Sequence, residues 1–407
     1  MTNSSNPADK NFETVLACID RESLTHYLWD LLIIPSPTGS EKAAALRFAE
    51  LLESAGAKVE IDETIPNSPN IIGRLKGRED GRVLQLAGHI DHINMPHAEP
   101  HRTDEIISGR GSADMKNGLA GILEIVKILK QNGCDFPGEI LVTVYGLHEA
   151  PDGDFRGLLN LIDNDIKGDA AIVFEGPDDA AAIMANGMSI WNLTIRHDLP
   201  VCHELSATSD RPDLLNIINT VITKLKQQDL KLRNSNNPFP LLDRESLFVG
   251  QVHYGDFYNR VPNIAFLQGT RRWHPDKSFD HVKDEFDQLV ENVPLPNGVV
   301  IDNEWIYVGD SYQIQPTELI VQSLVNAFQR VHGQPCPIKG HSSVTDACRL
   351  VGNAKVPTIL CGFGTGSGHA DYEFVKTEQL ERSCKVALLT VLNYLNATRT
   401  KIQRSLV

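Results

Sequence analysis

The apolar residues of this chain alternate between two periods, and that alternation restricts the fold more than any other feature. Residues 22–33 and 40–56 carry apolar side chains at helical spacing. Val83 to Ala87 reads as a short strand ending at Gly88, and residues 116–131 (KNGLAGILEIVKILKQ) as a strongly periodic helix. Ile140 to Tyr145 and Ala170 to Phe174 read as buried strands. Strands separated by such helices predict an α/β domain of mostly parallel strands with helices on both faces. The middle of the chain breaks the pattern. Met188 to Arg196, Leu247 to His253 and Ile264 to Trp273 read as strands, 213–227 and 278–292 as helices, and 229–247 as a polar loop. Then helix 317–332, strand Val356 to Cys361 and helix 376–395 restore the first style. One domain interrupted by a small α+β insert accounts for this order, with boundaries at 1–186, 187–308 and 309–407. A length of 407 residues fits that count at roughly 150 residues per domain.

Charge and composition exclude several classes of function. A formal charge of −15 opposes nucleic-acid binding, which rests on Lys and Arg neutralising phosphates, and opposes a polybasic hold on anionic membrane. No apolar run reaches the ~18 residues of a membrane span. The first fifteen residues are polar and read as a disordered lead-in rather than a secretory signal. The seven cysteines form no CxxC pair, so a thiolate zinc site or a disulfide framework is not expected. A cytoplasmic protein with reduced thiols follows.

Five segments put metal-ligand residue types at strand ends, where a rigid sheet can aim them. In LAGHIDHI, His89 follows a strand and Asp91 lies two residues on, on the same face of an extended chain. A carboxylate there can orient a metal-bound imidazole. Asp114 stands in SGRGSADMKNG just before a helix, and Glu149 follows His148 in LHEAPDGD, with Asp152 and Asp154 beyond. Glu175 ends a strand in FEGP, and His369 follows a glycine-rich loop in CGFGTGSGHADYEF. Each has an ordinary reading as well: a buried His–Asp pair, a helix N-cap, a solvated acidic turn, an exposed strand end. No phosphate loop, HExxH helix or GxSxG elbow is present.

The order His89, Asp114, Glu149, Glu175, His369 resembles the co-catalytic zinc amidohydrolase and exopeptidase family. That family includes acetylornithine deacetylase, succinyl-diaminopimelate desuccinylase, aminoacylase and glutamate carboxypeptidase. The likeness runs from about residue 25 to 395, insert included. It implies one metal held by His89, Asp114 and Glu175, and a second sharing Asp114 and taking His369. A nitrogen and oxygen donor set without thiolate suits Zn²⁺, with Co²⁺ as a substitute. The family shows two successive glutamates, the first a general base and the second a ligand. Here the run is His148-Glu149-Ala150, so Glu149 matches the base and Ala150 cannot bind metal. Asp152 is favoured to reach back. Two alternatives stay open: Glu149 is itself the ligand, or the second site is weak or empty and the enzyme mononuclear. Asn117 stands where the family prefers glycine.

The insert resembles the family's lid and dimerisation domain. His203 in VCHELSA matches a histidine that stabilises the oxyanion in the partner subunit's active site, which implies a homodimer. Asn259 in NRVPNIA matches a substrate contact, and Arg272 in GTRRWHP a substrate-carboxylate arginine, with Arg271 as rival. GHSSVTDA, the segment that carries Asp346, resembles a further family pattern, which implies that the backbone at Gly340 faces substrate. The implied activity is hydrolysis of an amide bond in a small carboxylate-bearing N-acyl amino acid. The alternatives are a dipeptidase or carboxypeptidase of the same family, a carbamoyl hydrolase, and a non-catalytic binding protein on that scaffold.

Overall fold

The computed structural model describes residues 13–149, 151–364 and 367–397. Ala150 and most of the expected lead-in lie outside the described residues. The chain forms two compact units. The first comprises the chain up to Ile183, Ile314–Lys339 and everything from Arg349 on; the second comprises Met184–Gln313 and Gly340–Cys348. Among the described residues, no helix is long and apolar enough to cross a membrane.

The first unit is built on a mixed sheet flanked by helices. Six of its strands run in the order Lys58–Asp62, Asn70–Lys76, Pro137–Tyr145, Glu79–His89, Ala170–Val173, Thr358–Leu360. The last four pair in parallel, as the alternating pattern predicts, while the first two join antiparallel at one edge. The central strands are apolar without alternation because both faces are covered: Ile140 to Tyr145 and Ala170 to Val173 are buried throughout. Helix Lys116–Gln131 is buried over nearly its whole first half, and Gly121 sits where an added Cβ would fall 2.2 Å from the Phe363 ring. A side chain there would displace the helix from its packing.

The second unit is β-rich. Its sheet is antiparallel in the order Ser246–Tyr254, Ile264–Trp273, Gly187–His197, Val299–Gly309. Gly187–His197 alternates buried and half-buried positions along its length, so one face carries the core. Trp191, Leu193 and Ile195 pack there with Ile217, Ile218 and Val221 of helix Leu214–Asn234 and Phe286 of helix Phe279–Glu291.

Several elements differ from expectation. Helix Leu214–Asn234 continues seven residues past the expected end at 227, into the stretch read as loop. Its last turns are polar outside, held by Asp229–Arg233 at 2.6 Å, yet Leu232 is buried and anchors them. Strands Lys58–Asp62, Asn70–Lys76, Ala181–Ala185 and Val299–Gly309 carried no strand expectation. Asn70–Lys76 contains Gly73, which weakens a strand signal, and the sheet supplies the order that propensity does not.

Candidate metal centre

Parallel pairing fixes where the candidate donors emerge. His89 is the last residue of its strand and stands opposite Tyr145, while Ala87 stands opposite Val173. His148 and Glu149 follow Tyr145, and Glu175 follows Val173. Three adjacent strands therefore deliver their chemistry at one carboxyl edge, the usual location of a site in an open α/β sheet. Asp114 comes from the turn before helix Lys116–Gln131, through a cis peptide to Met115. His369 arrives with a left-handed backbone, φ +64°. Its neighbour Gly368 lies so near Asp114 that an added Cβ would fall 3.2 Å from the Asp114 side chain.

The donors converge on Asp114. Its Oδ1 lies 3.2 Å from His89 Nε2, and its Oδ2 lies 3.4 Å from His369 Nε2. Glu175 Oε2 is 3.8 Å from His89 Nε2. Both carboxylate oxygens of Glu149 lie 3.1 Å from His369 Nε2. His89, Asp114 and Glu149 present ligand atoms within 4.8 Å of one another, and so do His89, His148 and Glu175. One carboxylate with an oxygen toward each of two imidazoles, each imidazole with a further carboxylate beside it, is a donor set consistent with a di-metal centre.

Asp91 braces this cluster. Its Oδ2 accepts the amides of His148 at 3.0 Å and Glu149 at 2.9 Å, and the Thr38 hydroxyl at 3.0 Å. Its carboxylate also lies 3.5 Å from His89 Nδ1, which sits 3.1 Å from the Asp91 carbonyl. Burial works against charge on His89, but Asp114, Asp91 and Glu175 outweigh it and hold the imidazole well above its ordinary pKa. Burial likewise works against charge on Asp114, but the histidines, His89 first, bring its carboxyl down to about 2. Anions thus surround His89 in excess, and a divalent cation is the natural counter-charge.

His148 carried no role in the sequence reading. Its ring stacks on that of His89, centroids 3.9 Å apart and planes within 1°, with Phe155 edge-on at 4.9 Å. The signal was present in the dipeptide His148-Glu149 at a strand end, but the match of Glu149 to a base overrode it. Asp152, favoured to replace the ligand missing at Ala150, is exposed on a turn closed by Gly153 N–H to Glu149 O at 2.6 Å. It belongs to none of the converging donor groups, and Asp154 pairs with Arg156 at 2.8 Å. Asp152→Ala is expected to leave metal content and turnover within twofold of the parent, measured by elemental analysis and initial rates.

Of the candidates in the second unit, His203 and Asn259 meet each other, while Arg272 and Gly340 bond to other residues. His203 Nε2 is 3.0 Å from the Asn259 side-chain amide, and its Nδ1 accepts the Leu205 amide at 3.1 Å. Arg272 donates to the Ser342 carbonyl at 2.9 Å and forms no ion pair among the described residues. Arg271 is committed instead to Glu245 at 2.6 Å. The Gly340 amide donates to the Leu241 carbonyl at 3.0 Å. A third donor group, Glu245, His274 and Asp276, is already neutralised, since Arg271 and Lys277 both bind Glu245.

The model of the peptidase family M20/M25/M40 matches residues 85–393, which spans every candidate donor and the whole second unit. The chain belongs to the M20/M25/M40 peptidase family. Among curated relatives, an N-formyl-4-amino-5-aminomethyl-2-methylpyrimidine deformylase of Bacillus subtilis (strain 168) is 27% identical over 85% of this chain and 88% of its own. An uncharacterized protein, YgeY, of Escherichia coli (strain K12) is 24% identical over 84% of this chain and 86% of its own. The fold is that of the aminopeptidase PepT of Bacillus cereus, with a TM-score of 0.74 at 17% identity, covering 93% of this chain and 99% of that one. It is also that of a metallo-carboxypeptidase of Sulfolobus solfataricus, with a TM-score of 0.75 at 16% identity, covering 92% of this chain and 99% of that one. Family membership and the converging donors together make this a metal-dependent hydrolase of small acylated amino acids or peptides.

Proposed function

We propose that this M20 hydrolase uses zinc, in a pair of ions bridged by Asp114, to cleave an amide bond in a small N-acyl amino acid or short peptide with a free carboxylate. The observation that carries the reading is the double facing of Asp114, one oxygen toward His89 and the other toward His369. His89 and Glu175 would complete one half of the centre, Glu149 and His369 the other. When bound, such ions acidify a water and polarise the scissile carbonyl.

The chain's own groups do the rest. Of the roles left open for Glu149, the donor role fits best, because both its oxygens face His369. His148 then takes the proton from the attacking water and passes it to the departing amine, a task suited to imidazole near neutral pH. Asp91 holds the amides of His148 and Glu149 and so sets both side chains at once. Arg272 anchors the substrate carboxylate with its guanidinium fork, Asn259 and the backbone at Gly340 add polar contacts, and His203 donates to the oxyanion from the second subunit of a homodimer. Mixing His203→Ala subunits with Asp114→Ala subunits is expected to restore activity in the mixed dimer, read as turnover regained after co-refolding. Two inactive parents and an inactive mixture sink the cross-subunit role. The reading places the protein in the cytoplasm with reduced thiols.

Substrate class is tested with a panel of N-acetyl, N-succinyl, N-formyl and N-carbamoyl amino acids alongside dipeptides, scored for released amine and ammonia. The N-formyl compounds are included because the relative from Bacillus subtilis is named for removing a formyl group. Carboxylate-bearing amides turning over faster than their carboxamide counterparts supports the reading. Turnover confined to compounds without a carboxylate contradicts the anchor role of Arg272, and no turnover on any compound favours a binding protein.

A further inference from the structure

Beside the short antiparallel pairing of Ile106–Ser108 with Phe374–Lys376, the loop that carries Asp114 is tied to the loop that carries His369 by one buried side chain. Glu373 is buried, and its Oε1 accepts the amides of Ala113 at 2.9 Å and Asp114 at 3.1 Å. Its Oε2 accepts the Gly111 amide at 3.1 Å and Arg110 Nη1 at 3.1 Å. That Nη1 also donates to the Ala370 carbonyl at 3.0 Å, and the Gly109 amide to the Glu373 carbonyl at 3.0 Å. The side chains of Arg110 and Glu373 are each 2% exposed. Six hydrogen bonds therefore tie residues 109–114 to residues 370–373. The two ends of the tie are Asp114 and, one residue before Ala370, His369.

Four donors on one carboxylate require an all-acceptor group. A protonated acid or a carboxamide presents hydrogen toward at least one of those donors. The pair joins two segments that lie far apart in sequence and that carry Asp114 and His369. Metal affinity depends steeply on how the ligands are oriented before the ion arrives, and loss of an orienting hydrogen bond commonly costs 10–100-fold.

We propose that Glu373, with Arg110, is the positioning clamp that sets the Asp114–His369 spacing and thereby the affinity of the His369 half of the centre for its ion. The inference rests on the reading that Asp114 and His369 bind metal. Glu373 touches neither ion nor substrate in this account and acts only through the loop amides.

The experiment is an equilibrium titration of metal-free full-length protein with Zn²⁺ against a competing chromophoric chelator, run on the parent, Glu373→Gln, Arg110→Lys and His369→Ala. Glu373→Gln is expected to weaken the more weakly bound ion by about 10–100-fold. Its thermal transition remains cooperative, its KM is unchanged at saturating zinc, and most of kcat is recovered by added zinc. Arg110→Lys keeps the charge but loses the guanidinium plane, and a smaller weakening in the same direction is expected. It serves as the deciding variant where Glu373→Gln does not fold. His369→Ala separates two failures. If it leaves zinc affinity unchanged, the metal reading itself is wrong. If it weakens zinc while the folded clamp variants bind as tightly as the parent, the clamp is overturned and the centre stands.

Discussion

Asp114→Ala is expected to lower kcat/KM by at least about 10³ and to leave the protein with at most one tightly held metal ion. Asp114 faces both imidazoles, at 3.2 Å from His89 and 3.4 Å from His369. Alanine removes both oxygens, so each half of the centre loses a donor in the same step. A thousandfold loss is about 4 kcal/mol of transition-state stabilisation, well beyond the effect of an exposed substitution. The fold is expected to survive, because the Asp114 amide, not its side chain, ties the loop to Glu373. Metal counting on the purified variant and a melting curve check the two parts separately. Two ions retained per chain contradicts the bridging role.

His148→Gln carries the second large effect, a loss of rate without a loss of metal. Glutamine keeps a polar side chain beside His89 but cannot hold a proton, so kcat is expected to fall about 10²–10⁴-fold with KM and metal content near the parent. Glu149→Gln is the companion. A donor facing His369 with both oxygens loses metal when one becomes an amide nitrogen, so stoichiometry drops along with rate. The opposite pattern is equally clear in measurement. Full metal with no turnover in Glu149→Gln, and an active His148→Gln, returns the base to Glu149.

Much of the first unit was legible because its signal is local. Helix Lys116–Gln131 falls on the expected residues, since an apolar face running over four turns admits no other period. The buried strands show as an apolar run from Ile140 to Tyr145, interrupted only by Thr143, and as an unbroken apolar run from Ala170 to Val173. Strand Asn70–Lys76 is silent in the sequence because Gly73 and the charges at Arg74 and Lys76 dilute the pattern, and its partners Lys58–Asp62 and Pro137–Tyr145 order it. The five donors could be ranked in sequence only through their order and context, because each alone also reads as a cap, a turn or a strand end. What the sequence could not convey is orientation. Glu149 and His148 are neighbours in the chain, and their roles are separated only by backbone direction past Tyr145, where Asp91 takes both amides and Leu147 adopts φ +60°. Asp152 is close in sequence to the donors yet lies exposed on the turn closed by the Gly153 amide on the Glu149 carbonyl, outside the converging groups.

The central claim is that the Asp114 centre hydrolyses amides only when its ions are present. It is tested most directly by stripping the protein with a chelator, returning zinc in steps, and measuring bound metal and amide hydrolysis on the same samples. The account predicts no turnover in the stripped protein and activity that rises with occupancy toward two ions per chain. Full activity without metal, or two bound zinc ions with no hydrolysis of any carboxylate-bearing amide, contradicts it.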